Sequence, residues 1–142
     1  MRALLDVNVL IALLDAEHVS HSRALAWFTE SAKGGWASSP ITQNGCIRIM
    51  SGPGYPNPLP VRSVIERLGA ATRAPQHEFW ADGVSLLDAR IADPMRIHGP
   101  RQLTDVYLLA LAVSRGGRFV TFDSAIPREA AKGAERSHIL VL

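Results

Sequence analysis

Three aspartates of the 142-residue chain each stand at the border of a strongly apolar segment. Asp6 and Asp123 each follow a segment with the pattern of a buried strand, and Asp105 lies in the first turn of an apolar helix. Ligands of open α/β sheets bind at the carboxyl ends of the strands, so residues far apart in sequence meet there. The pattern therefore predicts that these carboxylates converge on one cleft.

Carboxylates that share a cleft need a counter-charge, because like charges raise each other's pKa and burial adds to the penalty. Mg²⁺ resolves this conflict, with Mn²⁺ as a possible substitute, because both ions prefer oxygen ligands. We therefore predict that Asp6, Asp105 and Asp123 form an acidic metal site. The polar side chains of Asn8, Thr104 and Thr121 are expected to hold these carboxylates in place.

Each aspartate alone also has a purely structural interpretation. Aspartate is common in turns after strands, and in the first turn of a helix it favours the helix dipole. Their joint placement beside buried elements favours the metal site, because an uncompensated charge there is costly.

The elements that must position these residues alternate between strands and helices, as expected for a parallel sheet with helices on both faces. Strands are predicted at residues 4–5, 36–38, 118–123 and 138–142, with a possible strand at 84–87. Helices are predicted at residues 8–14, 20–32, 43–50, 61–73 and 105–115. Thr42 and Thr104 are the expected N-caps of two of these helices. The proline-rich segment 51–60 is predicted to be a loop.

Composition favours one globular domain over residues 1–142. The chain is 47% hydrophobic with a net charge of +2, which argues against disorder. Its one cysteine, Cys46, excludes an internal disulfide and a cysteine-based zinc site. The N-terminus lacks the features of a signal peptide, and no segment is long enough to span a bilayer, so a cytoplasmic location is expected. No nucleotide-binding fingerprint is present.

Four motifs in order, LLDVNVLIALL, SSPITQNGCIRIMS, RQLTDVYLLALAVSRGG and RFVTFD, resemble the PIN domain of VapC-type toxins. The resemblance covers nearly the whole chain. It implies an α/β fold, a three-layer α/β/α sandwich with a mainly parallel central sheet. It also implies a Mg²⁺-dependent endoribonuclease that hydrolyses RNA, a homodimer, and neutralisation by a cognate VapB-like antitoxin. The antitoxin is expected to pack near residues 10–30 and 42–50.

Residue by residue, Asp6, Asp105 and Asp123 match acids of the family, which implies that they are catalytic residues and metal ligands. Asn8 and Thr121 match the neighbouring polar residues of the family. The remaining family acid, commonly Glu, falls on Gln43 here. Gln43 keeps an oxygen that can accept a hydrogen bond or bind a metal, but it removes one negative charge. We therefore expect one firmly held metal ion, with a second recruited only together with RNA.

Three other functions stay open at this point. Gln43 is compatible with a catalytically impaired PIN-like module that binds RNA or protein. A phosphoacceptor signalling domain also gathers acids at strand ends, but Lys132 is poorly placed as its lysine. A small-molecule enzyme lacks any cofactor motif. For the nuclease, Arg48 and Arg101 are candidates for binding the RNA backbone.

Overall fold

The computed structural model describes the backbone of residues 1–142 and the side chains of residues 1–31 and 33–142. Its centre is a parallel five-stranded sheet of order β3-β2-β1-β4-β5. The strands are β1 (Ala3–Leu5), β2 (Trp36–Ser38), β3 (His77–Phe79), β4 (Arg118–Thr121) and β5 (Ile139–Val141). The carboxyl ends of all these strands consequently lie along one edge of the sheet.

The connections between strands carry the helices. These are α1 (Val7–Leu14), α2 (His21–Ser31), α3 (Pro40–Met50), α4 (Val61–Thr72) and α5 (Leu103–Ser114). Short 3-10 helices lie at Ala32–Gly34, Pro94–Arg96, Pro100–Gln102, Arg128–Ala130 and Arg136–His138. The side chain of Ala32, which the helical pattern included, lies outside the described residues. Among those residues, no helix is long and apolar enough to cross a membrane.

The two faces of the sheet are covered by different helices, because successive strand residues point to opposite faces. Leu5 and Trp36 face one core, which also contains buried residues of α1, α3 and α4. Leu4 and Phe119 face the other core, where they pack with the apolar side of α5. Helices therefore cover both faces, and the predicted α/β/α sandwich is confirmed.

The third strand is not where the sequence pattern placed it. The predicted strand at 84–87 was wrong, because residues 84–85 are irregular, residues 86–87 form a turn, and β3 lies at His77–Phe79. This strand pairs only with β2 at the edge of the sheet, and Phe79 is exposed. An edge strand with little burial lacks the apolar pattern that identifies inner strands.

Two predicted helix caps were also wrong. Ser39 rather than Thr42 is the N-cap of α3, and Thr42 is its reciprocal partner within a capping box. The helix α5 begins at Leu103, so Thr104 lies inside it, and the N-cap residue Gln102 makes no side-chain capping bond. A 3-10 helix at Pro100–Gln102 runs directly into α5 and takes the place of a side-chain cap.

Cys46 lies on the buried side of α3, where it is fully buried, and its Sγ lies 3.8 Å from the Sδ of Met50. Burial raises the pKa of its thiol to about 12. The side chain therefore packs as a small apolar group, as the sequence predicted, and is not a nucleophile.

Candidate active site

Asp6 occupies the junction between β1 and α1. Its backbone N–H donates to the carbonyl of Val120 at 2.9 Å, which extends the pairing of β1 with β4. Its Oδ1 accepts from the backbone N–H of Val7 at 2.7 Å, so the carboxylate is also the N-cap of α1. Only 7% of Asp6 is exposed. The fold thus buries this carboxylate at the carboxyl edge of the sheet.

Thr121, fully buried at the end of β4, connects two of the acids. Its hydroxyl donates to Oδ2 of Asp6 at 2.7 Å and accepts from the backbone N–H of Asp123 at 3.1 Å. The side chain of Asp123 in turn accepts from the backbone N–H of Ala125 at 2.7 Å. One hydroxyl therefore fixes both the Asp6 carboxylate and the turn that carries Asp123.

Asp105 completes the group from the other face of the sheet, where it lies half-buried in the first turn of α5. Burial, together with smaller contributions from the negative charges of Asp6 and Asp123, raises its pKa to about 6. Burial likewise raises the pKa of Asp6, and the negative charge of Asp123 adds a smaller rise. The hydrogen bond from Thr121 acts in the opposite direction and lowers this pKa. The three carboxylates therefore share one electrostatic environment.

These carboxylates fit a divalent cation by their chemistry. Ionised carboxylates only accept hydrogen bonds, and a hard cation binds oxygen ligands and relieves the repulsion between them. Within the described side chains, no three of His, Cys, Asp and Glu already lie close enough to hold a metal ion. Oxygens of Asp6 and Asp123 are instead engaged by Thr121 and by backbone N–H groups. Binding one ion by all three carboxylates therefore requires their oxygens to move closer together.

The other expected supporting residues make no hydrogen bond to the carboxylates among the described side chains. Asn8 and Thr104 are exposed, and neither side chain makes a hydrogen bond within the described part of the chain. The Nε2 of Gln43 donates to the Oγ of buried Ser38 at 2.9 Å. Ser38 Oγ also lies 2.8 Å from Nε2 of His77. Gln43 is therefore held toward β2 and β3, and of the four expected supporting residues Thr121 alone hydrogen-bonds to an acid within the described residues.

Asp82, which the sequence reasoning missed, is a further carboxylate at this edge of the sheet. It follows β3, and its Oδ2 accepts from the backbone N–H of Ile41 in the first turn of α3 at 3.3 Å. Its Oδ1 is buried and has no hydrogen-bond partner among the described residues. Burial raises the pKa of Tyr107 in α5, and the negative charge of Asp82 is a second, smaller cause of the same rise. An acid that follows a strand is the sequence signal that could have identified Asp82, but the sequence pattern did not reveal β3.

Asp105→Asn is expected to stabilise the metal-free protein. The pKa of Asp105 lies higher in the folded chain than in the unfolded chain, so stability falls as pH rises from about 4 to about 6 and stays reduced above that. Asn removes this penalty. In EDTA at about pH 7.5, we expect the free energy of unfolding to rise by about 1–2 kcal/mol, after allowance for solvent screening.

Urea unfolding of both proteins at about pH 7.5 and about pH 4 measures this effect, with the acidic condition as the internal control. The gain in the free energy of unfolding of Asp105→Asn over the wild type should shrink towards zero at the lower pH, because Asp105 is protonated there in the folded wild type. Equal stability of the two proteins at the higher pH would show that the carboxylate carries no such penalty.

Comparison of this chain with known proteins identifies its family. The model of the PIN domain family matches residues 3–132. The chain is 54% identical over 142 residues to Ribonuclease VapC44 of Mycobacterium tuberculosis (strain H37Rv), with 100% of both chains covered. It is 42% identical over 134 residues to Ribonuclease VapC39 of the same strain, covering 94% of this chain and 96% of that protein.

The fold also matches a solved structure, the crystal structure of VapBC2 from Rickettsia felis bound to a DNA fragment from their promoter. The TM-score is 0.54 at 14% identity, and the match covers 88% of this chain and 90% of the other. At that identity the match supports the fold alone. The sequence relatives go further, and together with the family match they show that this chain belongs to the PIN domain family and, within it, to the VapC-type proteins.

Proposed function

We propose that the protein is a Mg²⁺-dependent endoribonuclease and the toxin of a type II toxin–antitoxin system. The observation that carries this proposal is the convergence of Asp6, Asp105 and Asp123, in which the charges of two acids help to raise the pKa of the third. Relatives that match all or 94% of this chain are named ribonucleases, which supports RNA as the substrate.

In this proposal, Asp6, Asp105 and Asp123 hold the metal ion, with Mn²⁺ as a possible substitute. When bound, Mg²⁺ supplies an activated water for in-line attack and neutralises charge on the phosphate oxygens. Thr121 keeps the Asp6 carboxylate oriented through its 2.7 Å hydrogen bond. Arg48 and Arg101 are exposed and make no ion pair within the described residues, so their guanidinium groups are free to bind RNA phosphates.

The test of this function is incubation of purified protein with a total bacterial RNA pool in Mg²⁺, Mn²⁺ or EDTA, followed by mapping of the RNA ends. Discrete cuts that require the metal and leave 5′-phosphate and 3′-hydroxyl ends are expected.

The hydrogen bond of Gln43 to Ser38 supports a second candidate function, a PIN-like module that binds RNA or protein without cleavage. RNA binding with identical RNA profiles at every metal concentration would support that module.

We expect the protein without RNA to bind one metal ion tightly. The three carboxylates supply three negative charges against the four positive charges of two Mg²⁺ ions, because Gln43 is neutral. A second ion should bind only together with an RNA phosphate. Calorimetric titration with Mn²⁺ measures the stoichiometry, and Asp105→Asn should lose the tight site. Two tight sites without RNA would contradict this prediction.

We further propose that a VapB-like antitoxin and a second copy of the chain are its protein partners. An apolar cavity of 190 Å³ opens between α1, α2 and α4, lined by side chains that include Leu10, Leu14, Phe28 and Leu68. Such a cavity suits the apolar side of an antitoxin segment. It includes the region expected at residues 10–30 but none of residues 42–50.

The extent of the domain and its location are also proposals. The family match ends at residue 132, yet β5 lies beyond it and pairs with β4 in the same sheet. We therefore propose that residues 1–142 form a single PIN domain. The expected cytoplasmic location stays a prediction.

A further inference from the structure

A second cleft lies between the two loops that border the acidic site in sequence. It has a volume of 360 Å³ and is lined by Asp93, Met95, Arg96, His98, Pro127 and Glu129. The first four of these residues precede Asp105 and α5, and the last two follow Asp123. A ligand in this cleft would therefore contact the segment that leads into α5 and Asp105 and the segment that follows Asp123.

Backbone hydrogen bonds join the two loops and preform the cleft. Ala92 and Ala131 form an isolated antiparallel bridge, with Asp93 N–H donating to the Ala130 carbonyl at 2.9 Å and Lys132 N–H donating to the Ile91 carbonyl at 2.8 Å. The Asp93 side chain also caps the 3-10 helix at Pro94–Arg96. A cleft with fixed walls binds a ligand with less loss of conformational entropy than a mobile loop does.

The charges of the lining are unsuited to phosphate. Asp93 and Glu129 carry negative charges and Arg96 one positive charge, so the charged lining is net negative. The pKa of Glu129 is lowered by a hydrogen bond from its own backbone N–H and by the positive charges of Arg128 and Arg96, which keeps the carboxylate ionised at neutral pH. Arg128 pairs with Glu129 at 3.2 Å and Arg96 with Asp93 at 3.3 Å, so a phosphate group would have to displace a carboxylate from a guanidinium, whereas a neutral ligand would not.

The hydrogen-bonding groups fit a heterocycle that both donates and accepts. Each carboxylate accepts only, through about four lone-pair sites, and Arg96 donates only, although it already pairs with Asp93 at 3.3 Å. Met95 is 86% exposed at this cleft and offers an apolar surface to a ring. Single-stranded RNA presents unstacked bases with both edges open to such contacts.

Among the RNA bases, guanine matches this lining best. Its adjacent ring N–H and amino group can donate together to one carboxylate, and its O6 and N7 accept from arginine. Adenine and cytosine place an acceptor beside the amino group, facing the carboxylate, and uracil has a single donor. We propose that the cleft lined by Asp93, Arg96 and Glu129 binds a guanine base of single-stranded RNA close to the scissile phosphate. This inference rests on the proposed ribonuclease function.

Two measurements test the guanine site separately from the nuclease. Mapped RNA ends of the wild type should show guanine enriched by about 10-fold at one fixed position beside the cut, and Glu129→Gln should lower that enrichment towards random. In an NMR titration of Asp105→Asn, guanosine monophosphate should bind about 10-fold more tightly than the adenosine, cytidine and uridine monophosphates, with the largest shifts at Met95.

Glu66→Gln is the matched control, because Glu66 is an exposed glutamate paired with an arginine on the distant helix α4. It should leave the mapped ends unchanged. RNA cleavage without a guanine preference, or with a preference that Glu129→Gln leaves intact, overturns the guanine site while the nuclease stands. Absence of cleavage refutes the nuclease, and the nucleotide titration then decides whether the cleft selects guanine at all.

Discussion

Asp105→Asn and Asp6→Asn should each abolish metal-dependent RNA cleavage, with a loss of at least about 1,000-fold in kcat/KM. Asn keeps the size of the side chain and one oxygen acceptor but removes a negative charge. Two carboxylates would then face a divalent cation that the wild type binds with three. Cleavage assays on the mapped RNA target, with Mg²⁺ varied, measure the loss.

Asp105→Asn is the sharper of the two substitutions, because the Asp105 carboxylate makes no hydrogen bond within the described residues. Its charge is disfavoured by burial and by Asp6 and Asp123, so the variant should fold at least as well as the wild type. Asp6 also caps α1 and accepts from Thr121, so its replacement can disturb the fold as well. Loss of activity in a stably folded Asp105→Asn protein therefore reports on the site itself.

Asp88→Asn provides the control for both variants. Asp88 lies in a turn and pairs with Arg90 at 2.9 Å, away from the three acids in sequence, and its substitution should leave cleavage unchanged. Full activity of Asp105→Asn, with a metal requirement like that of the wild type, would refute the assignment of Asp105.

The inner part of the sheet could be predicted because its strands are buried on both sides. β1 and β4 give short apolar runs that end at an acid, and the order of strands and helices then places Asp6 and Asp123 at the same edge. The edge strand β3 gives no such run. Asp82 was missed for that reason, since an acid becomes a site candidate only when the strand before it is recognised.

Hydrogen bonds between side chains were harder to foresee than the positions of the acids. Thr121, Asn8 and Thr104 are all polar neighbours of an acid in sequence, yet of these three only Thr121 hydrogen-bonds to a carboxylate in the described structure. In β4, the inward-facing position of Thr121 follows from the alternation of the strand. The positions of Asn8 and Thr104 depend on the rotation of α1 and α5 about their axes, which the apolar pattern fixes only approximately.

The hydrogen bond of Gln43 was also not foreseen from the sequence. Its place in the sequence suggested a fourth group for the metal site, but its amide donates to Ser38, and Ser38 lies against His77 of the unpredicted strand β3. The partner that binds the amide therefore belongs to an arrangement that the sequence did not reveal.

Thr121→Val should reduce Mn²⁺ affinity and cleavage by about 10- to 100-fold, although Thr121 is not a metal ligand. Val has the same shape but no hydroxyl. The buried Oδ2 of Asp6 would lose its donor, and the backbone N–H of Asp123 would lose its acceptor. We also expect a loss of about 1–3 kcal/mol in the free energy of unfolding, because these polar groups lose their partners.

Thr121→Ser separates the hydroxyl from the packing of the side chain. Ser restores both hydrogen bonds but removes a methyl group from a fully buried position, at a cost of about 1 kcal/mol. If the hydroxyl orients Asp6, the Ser variant should keep Mn²⁺ affinity within a few-fold of the wild type despite its lower stability. Val should lose affinity even where its fold is intact. Equal Mn²⁺ affinity for folded Val and Ser variants would mean that Thr121 stabilises the strand end without positioning the metal ligand.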